Sequence, residues 1–415
     1  MKTIRWSAVL LILLIQLVSM VRPWSKVMAQ QVVEIQKPEV DYSFGGQVTF
    51  WAKTNLEETP ESVQIFIKSL NQNDTIVGEV SVRDHEFVYV HDLVNYPLPA
   101  FSEIEYWFGV KMPGEQAFVS PKYSFYYDDN RYSWQLLEDK PFRVHWYEGD
   151  LAFGQMVLDT AQKSLERANQ LLGFSDPEKV DIFAYANGAE MQSTLNLGDI
   201  SIVAGHANPE LGVMFVSLPA GPFQQIETER QIPHELMHIL LYQKLGVDYA
   251  DLPTWLNEGL ASLNETYPNP DYVTVLKDAA EKETIIPMSS LCQGFTLEGG
   301  QYYLSYAQAD SFTRYLYETY GSAGIQSLIQ AYASGLDCER GAEVGLGKTL
   351  SQLEGQWQRY TFNQNPLLKA FGALLPWVVI LLLVLLAPIL LIFNSLLRGK
   401  NGTQKLSEKP AAPGG

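Results

Sequence analysis

Cysteine is nearly absent from the chain: 415 residues hold only Cys292 and Cys338, with no CxxC pair. That excludes a cysteine-rich metal knuckle and a multi-disulfide scaffold. Free thiols and a single disulfide both fit the count, and an oxidising compartment favours the pair. Basic residues are scarce as well, 29 Lys and Arg against 47 Asp and Glu, giving a formal charge of −18. Phosphate binding needs clustered Lys and Arg, so nucleic acid is excluded as a partner class. Internal repeats are missing, and the only biased tract is a tail ending in Pro and Gly. Apolar residues make up 47% and aromatics 12%, enough for packed cores in two domains.

Two uncharged runs bear on the compartment. Lys2 and Arg5 precede sixteen uncharged residues, 6–21, and Val27-Met28-Ala29 offers a cleavage point before Gln30. The layout predicts a signal peptide over 1–29; an uncleaved signal anchor is the alternative, and both export the chain beyond residue 29. The second run, 370–397, has 28 residues without a charge, which suffices to span a bilayer with tilt. Arg398, Lys400, Lys405 and Lys409 come next, so the positive-inside rule puts the tail 398–415 in the cytoplasm. The expectation is a single-pass cell-membrane protein whose bulk faces outward.

Between the runs, the period of the pattern changes once. Residues 30–128 alternate apolar with polar in Gln47-Val-Thr-Phe-Trp-Ala, Ser62-Val-Gln-Ile-Phe-Ile, Glu86-Phe-Val-Tyr-Val and Glu105-Tyr-Trp-Phe-Gly-Val, separated by Gly, Pro and Asn. Short strands at that spacing predict an antiparallel β-sandwich of immunoglobulin or fibronectin type. After Asp128-Asp129-Asn130, residues 153–172 carry apolar positions at helical spacing, with Gly173 as a stop. Strands are expected at 180–186 and 212–218, and helices at 229–244, 254–267, 272–282, 303–320, 322–333 and 350–360. The fold class is α+β, with the sheet early and the helices late.

His234-Glu235-Leu236-Met237-His238 carries the chemistry. Histidines four apart on a helix project from one face and can share one metal ion, with Glu235 beside them as a candidate base. Catalytic zinc needs a third protein ligand and an open position. Glu258, in Pro253-Thr-Trp-Leu-Asn-Glu258-Gly-Leu-Ala, lies twenty residues after His238 and is the candidate. A metzincin histidine is excluded, because Lys244 and Leu241 occupy the positions that pattern requires. Pro233 directly precedes His234. The helix is therefore expected either to start near Gln231 or to continue from Thr228 with a kink.

HELMH followed by WLNEGLASLNE resembles the gluzincin clan of metallopeptidases, most closely the peptidase MA-like domains of exported bacterial proteins related to M1-type aminopeptidases. The likeness spans the segment 143–362. It implies a thermolysin-like zincin domain with Zn²⁺ on His234, His238 and Glu258, Glu235 as general base and a peptide or protein substrate. In Tyr306-Ala-Gln-Ala-Asp, it implies Tyr306 as donor to the tetrahedral intermediate, with Tyr242 and Tyr249 as fallback donors. Glu265 matches a recurring acid that orients a histidine. One departure is the acid that holds a free amine in the family's aminopeptidases: Gly212-Val-Met-Phe-Val, taken as the comparable strand, lacks it. The strand 212–218 is also expected to be a sheet edge for substrate, and His206 to sit on a surface loop, with a place lining the cleft as its alternative. Two function classes remain, a membrane-anchored zinc metallopeptidase or an inactive anchored adhesion protein with a vestigial zincin domain.

Overall fold

The computed structural model describes residues 35–56, 58–70, 74–114, 116–174, 177–195, 205–296, 300–362, 374–386 and 388. The expected signal peptide and cytoplasmic tail lie outside them. The chain divides into two compact units between Tyr132 and Ser133.

The first unit is two antiparallel sheets. One orders its strands Ile35–Ser43, Gln47–Thr54, Glu86–Asp92 and Ser81–Arg83. The other orders Ile76–Glu79, Ser62–Ser69, Ser102–Lys111 and Ala117–Val119, with Tyr123–Tyr127 also paired to Ser102–Lys111. All four expected strand segments lie in strands. The alternation sends Val63, Ile65 and Ile67 inward while Gln64, Phe66 and Lys68 stay part-exposed. Phe87 and Phe108 meet at 5.7 Å between the sheets, and Phe50 and Tyr106 at 4.9 Å, so one aromatic core closes both.

The second unit has five strands among the described residues: β1 (Gln135–Asp139), β2 (Phe142–Trp146), β3 (Val180–Tyr185), β4 (Gly205–Asn208) and β5 (Val213–Ser217). Their order is β1-β2-β3-β5-β4, with β2, β3 and β5 parallel and both edges antiparallel. Its α-helices before residue 363 are α1 (Leu151–Leu172), α2 (Gly188–Leu195), α3 (Gln224–Leu245), α4 (Thr254–Asn264), α5 (Asp271–Glu281), α6 (Gln301–Ala333), α7 (Cys338–Leu346) and α8 (Leu350–Phe362). Asp150 caps α1 by accepting from the Phe153 N–H, and Gly173 ends it in the left-handed conformation. Inside α6, Gly321 breaks the helical dihedrals where two separate helices are expected.

Three expectations change, for the sheet edge, for the segment 205–208 and for the start of the motif helix, while the favoured cysteine pairing is found. The strand 212–218 is not an edge: β5 is paired with β3 on one side and β4 on the other, and every residue of it is buried. A substrate strand has no free ladder there. The edge is β4, in a segment where a surface loop is expected. The metal-motif helix does not start at Gln231 but runs from Gln224 straight through Pro233. The ring removes one N–H, which orphans the Glu229 carbonyl; the Thr266 N–H takes it at 3.1 Å. Cys292 and Cys338 are joined in a disulfide, tying the segment after α5 to the start of α7.

Among the described residues, no helix is long and apolar enough to cross a membrane. Residues 374–386 of the expected span are helical and carry exposed apolar side chains; most of the rest of 370–397 lies outside the described residues.

A buried carboxylate fixes the start of the sheet. Asp181 on β3, 1% exposed, takes Arg143 Nε at 2.6 Å, His145 Nε2 at 2.9 Å and Lys179 Nζ at 3.2 Å. Burial pushes its pKa up, but the His145 and Arg143 hydrogen bonds and the Lys179 charge outweigh it and hold the group well below the carboxylate range. A depressed folded pKa contributes stability above the unfolded value of about 4 and loses it as pH falls. Asp181→Asn is therefore expected to cost about 3 kcal/mol at neutral pH. The gap to wild type in urea denaturation should shrink as pH drops below about 4.

Candidate metal centre

Helix α3 buries an apolar run in its second half: Ile232, Leu236, Met237, Ile239, Leu240 and Leu241 are all buried. That burial leaves the His234 and His238 face as the polar seam. Helix α4 packs against α3 and α6 through Trp255, Leu256 and Leu260, and thereby turns Glu258 toward the seam. Its approach to α6 requires a glycine. A Cβ on Gly259 would lie 2.0 Å from Thr313 Oγ1 and 2.5 Å from the Ala309 carbonyl, well inside van der Waals contact. The carbonyls ending α4 are capped by Arg167, whose Nη1 reaches the Glu265 oxygen at 2.7 Å, and the Asn264 amide donates to the Pro233 carbonyl at 2.9 Å.

The three expected ligands converge. His234 Nε2 lies 3.3 Å and His238 Nε2 3.8 Å from Glu258 Oε2, and the three ligand atoms fall within 4.8 Å of one another. The far nitrogen of each ring is held separately. His234 Nδ1–H donates to Glu265 Oε1 at 2.9 Å. His238 Nδ1–H donates to Asn257 Oδ1 at 3.1 Å, while the Asn257 amide donates to the Tyr249 hydroxyl at 2.8 Å. A ring whose Nδ1 proton is so fixed presents Nε2 as its ligand atom. Two imidazoles and a carboxylate are a donor set suited to Zn²⁺, and the residues fit it.

Burial lowers the His238 pKa; for His234 the Glu258 and Glu265 hydrogen bonds outweigh burial and hold the ring well above the ordinary value. Glu235 is buried on the same seam. Its pKa is pushed up to about 7, chiefly by burial, with His234 opposing and the Glu258 and Glu265 charges adding. The backbone of Ala207, on edge strand β4, lies beside this carboxylate and opposes the rise. A Cβ at Gly205 would lie 2.6 Å from Glu235 Oε1, so the strand can lie against the acid only with glycine there. The strand beside the base is thus Gly205-His206-Ala207-Asn208, not the strand 212–218, and it too holds no acid. His206 lies on this edge strand, half-buried, not on a loop. Four residues bounded by Gly205 and Pro209 are too few for alternation to register; the glycine was the only signal.

Tyr306, on α6, lies beside Glu258 and so joins the cluster. Burial and the Glu258 charge raise its pKa, keeping the phenol protonated. The fallback donors lie elsewhere: Tyr249 is 3.3 Å from His238 Nδ1, behind the ring, and Tyr242 packs on Tyr249 at 5.8 Å.

A family model described as the Peptidase MA superfamily matches residues 160–363. No curated protein matches the chain. Among solved structures, the chain is similar to an M1 zinc metallopeptidase from Deinococcus radiodurans at 10% identity, over 79% of this chain and 94% of that one, with a TM-score of 0.33. A polysaccharide deacetylase from Bacillus cereus is 10% identical over 45% of this chain and 60% of its own, with a TM-score of 0.20.

The Glu265 contact generates a measurable expectation. Glu265→Gln should weaken zinc binding about 10- to 100-fold in chelator competition, with the far-ultraviolet circular dichroism unchanged. An unaltered zinc affinity would mean that His234 is oriented by packing alone.

Proposed function

We propose, from the premise that residues 160–363 form a Peptidase MA superfamily domain, that this chain is a zinc metallopeptidase acting outside the cytoplasm. The observation that carries the reading is the convergence of His234, His238 and Glu258 within 4.8 Å, with Glu235 and Tyr306 facing the same point. Held by those three residues, Zn²⁺ would supply Lewis-acid activation of water and of the scissile carbonyl.

Glu235 takes one proton from the water whose oxygen bonds to the carbonyl carbon, then hands it to the nitrogen as the C–N bond breaks. Its pKa near 7 suits both halves of that exchange at neutral pH. The backbone of β4 at Gly205 lies against the carboxylate and limits its swing. Tyr306 donates to the carbonyl oxygen as negative charge collects there, a donor of the kind worth about 3 to 4 kcal/mol. The outward backbone groups of edge strand β4 offer a peptide main chain a partner, giving affinity with little demand on side chains.

The remaining parts of the proposal concern placement. The 28-residue uncharged run 370–397 followed by basic residues supports a single transmembrane helix with a cytoplasmic tail, and the Cys292–Cys338 disulfide suits an oxidising exterior. The N-terminal sandwich, read as an immunoglobulin or fibronectin-type module, then serves as spacer or substrate-positioning arm.

The test uses the purified full-length chain, wild type beside Glu235→Gln. Elemental analysis is expected to find zinc in both, while Glu235→Gln cleaves a peptide library about 10²- to 10⁴-fold more slowly. A chelator should abolish wild-type cleavage and added zinc restore it. Absence of zinc from both proteins would instead favour an anchored binding protein.

A further inference from the structure

We propose, resting on the hydrolytic function proposed for this site, that Tyr302 is a positioning residue that aims the Tyr306 proton at the substrate carbonyl oxygen. The two tyrosines are one turn apart on α6, at a spacing that places them on one helix face. The Tyr302 hydroxyl donates to the Tyr306 oxygen at 3.2 Å, and the rings meet at 5.0 Å between centroids. Phe295 closes on the Tyr306 ring edge-on at 5.1 Å, so the ring is gripped by two aromatic neighbours. The Tyr306 hydroxyl in turn lies close enough to Glu258 to feel its charge.

A phenol hydroxyl has one proton and accepts through its lone pairs. With Tyr302 donating to the oxygen, the Tyr306 proton turns away from Tyr302 and toward the ligand cluster. When Glu258 is engaged by a cation, the same directed proton faces the carbonyl oxygen of a bound peptide. Removing the Tyr302 hydroxyl leaves the Tyr306 O–H free to rotate, so the donor is misaimed part of the time. The loss falls on the transition state, because the carbonyl oxygen becomes a strong acceptor only as it gains charge. No charge or bond changes at Tyr302 itself.

The zinc-loaded full-length chain is compared as wild type, Tyr302→Phe, Tyr306→Phe and the double variant. Tyr302→Phe is expected to lower kcat about 10-fold with KM within about 2-fold. By calorimetry, its Kd for a phosphinic peptide, a tetrahedral mimic, should rise in parallel, while its Kd for a planar product-like peptide stays put. In the Tyr306→Phe background the same change should cost no more than about 2-fold, because the two hydroxyls act as one unit. A purely packing role would lower the thermal midpoint and raise KM at constant kcat, and that result overturns the inference. So would kcat and phosphinic-peptide Kd equal to wild type, or losses that multiply in the double variant. Wild type that binds zinc yet cleaves nothing overturns the proposed function and this role together; active wild type with unaffected Tyr302→Phe overturns this role alone.

Discussion

The whole centre depends on how closely α4 can lie against α6 and α3. Glu258 belongs to α4 and the two histidines to α3, so the cluster exists only at one helix separation. Gly259 permits it, since any side chain there would enter the Thr313 hydroxyl and the Ala309 carbonyl. The contact is one residue from the carboxylate it positions, so a shift of the helix is a shift of the ligand. Two further ties lock the same junction: the Thr266 N–H satisfies the carbonyl that Pro233 orphans, and Asn264 holds the Pro233 carbonyl. The proline in the motif helix is thus a docking point for the end of α4.

Charge explains why such a junction is built. Glu235, Glu258 and Glu265 lie close to two imidazoles, so three carboxylates face two rings, while Asp310 nearby is paired with Arg314. Packed carboxylates repel and lose hydration, which is costly unless a cation offsets it. The upward shifts at Glu235, led by burial with the Glu258 and Glu265 charges adding, and at His234, where the Glu258 and Glu265 hydrogen bonds outweigh burial, are the signature of that imbalance. A divalent ion at the convergence of three ligand atoms relieves it. Apolar burial on α3 and α4 supplies the stability that this electrostatic cost draws down.

Much of the fold was legible because it rests on local periodicity. The strands 47–54, 62–69, 86–92 and 102–111 announce themselves by alternation, α1 by its apolar spacing and Gly173, and the break in α6 by Gly321. What escaped was either short or set by distant partners. Strand β4 has four residues, and β1 and β2 form a hairpin whose alternation is diluted by Glu138 and Asp139. Helix α7 is nine residues long and is held by its Asp337 cap and the disulfide. Whether 212–218 is interior or edge is a matter of who pairs with it, which no strand reports about itself.

By itself the sequence determined the residue types and their intervals: two histidines one turn apart, an acid between them, a second acid on the next helix, and a tyrosine on α6. The histidines and acids follow from the 3.6-residue period and ligand chemistry, both local, whereas the tyrosine was marked only by the family resemblance. Tertiary structure alone decided that it is His234 that Glu265 holds and Asn257 that holds His238, that β4 and not β5 lies beside Glu235, and that Tyr302 stands behind Tyr306. The reason is that hydrogen-bond partners far apart along the chain meet only when helix separation and strand order are set, and the packed core sets them.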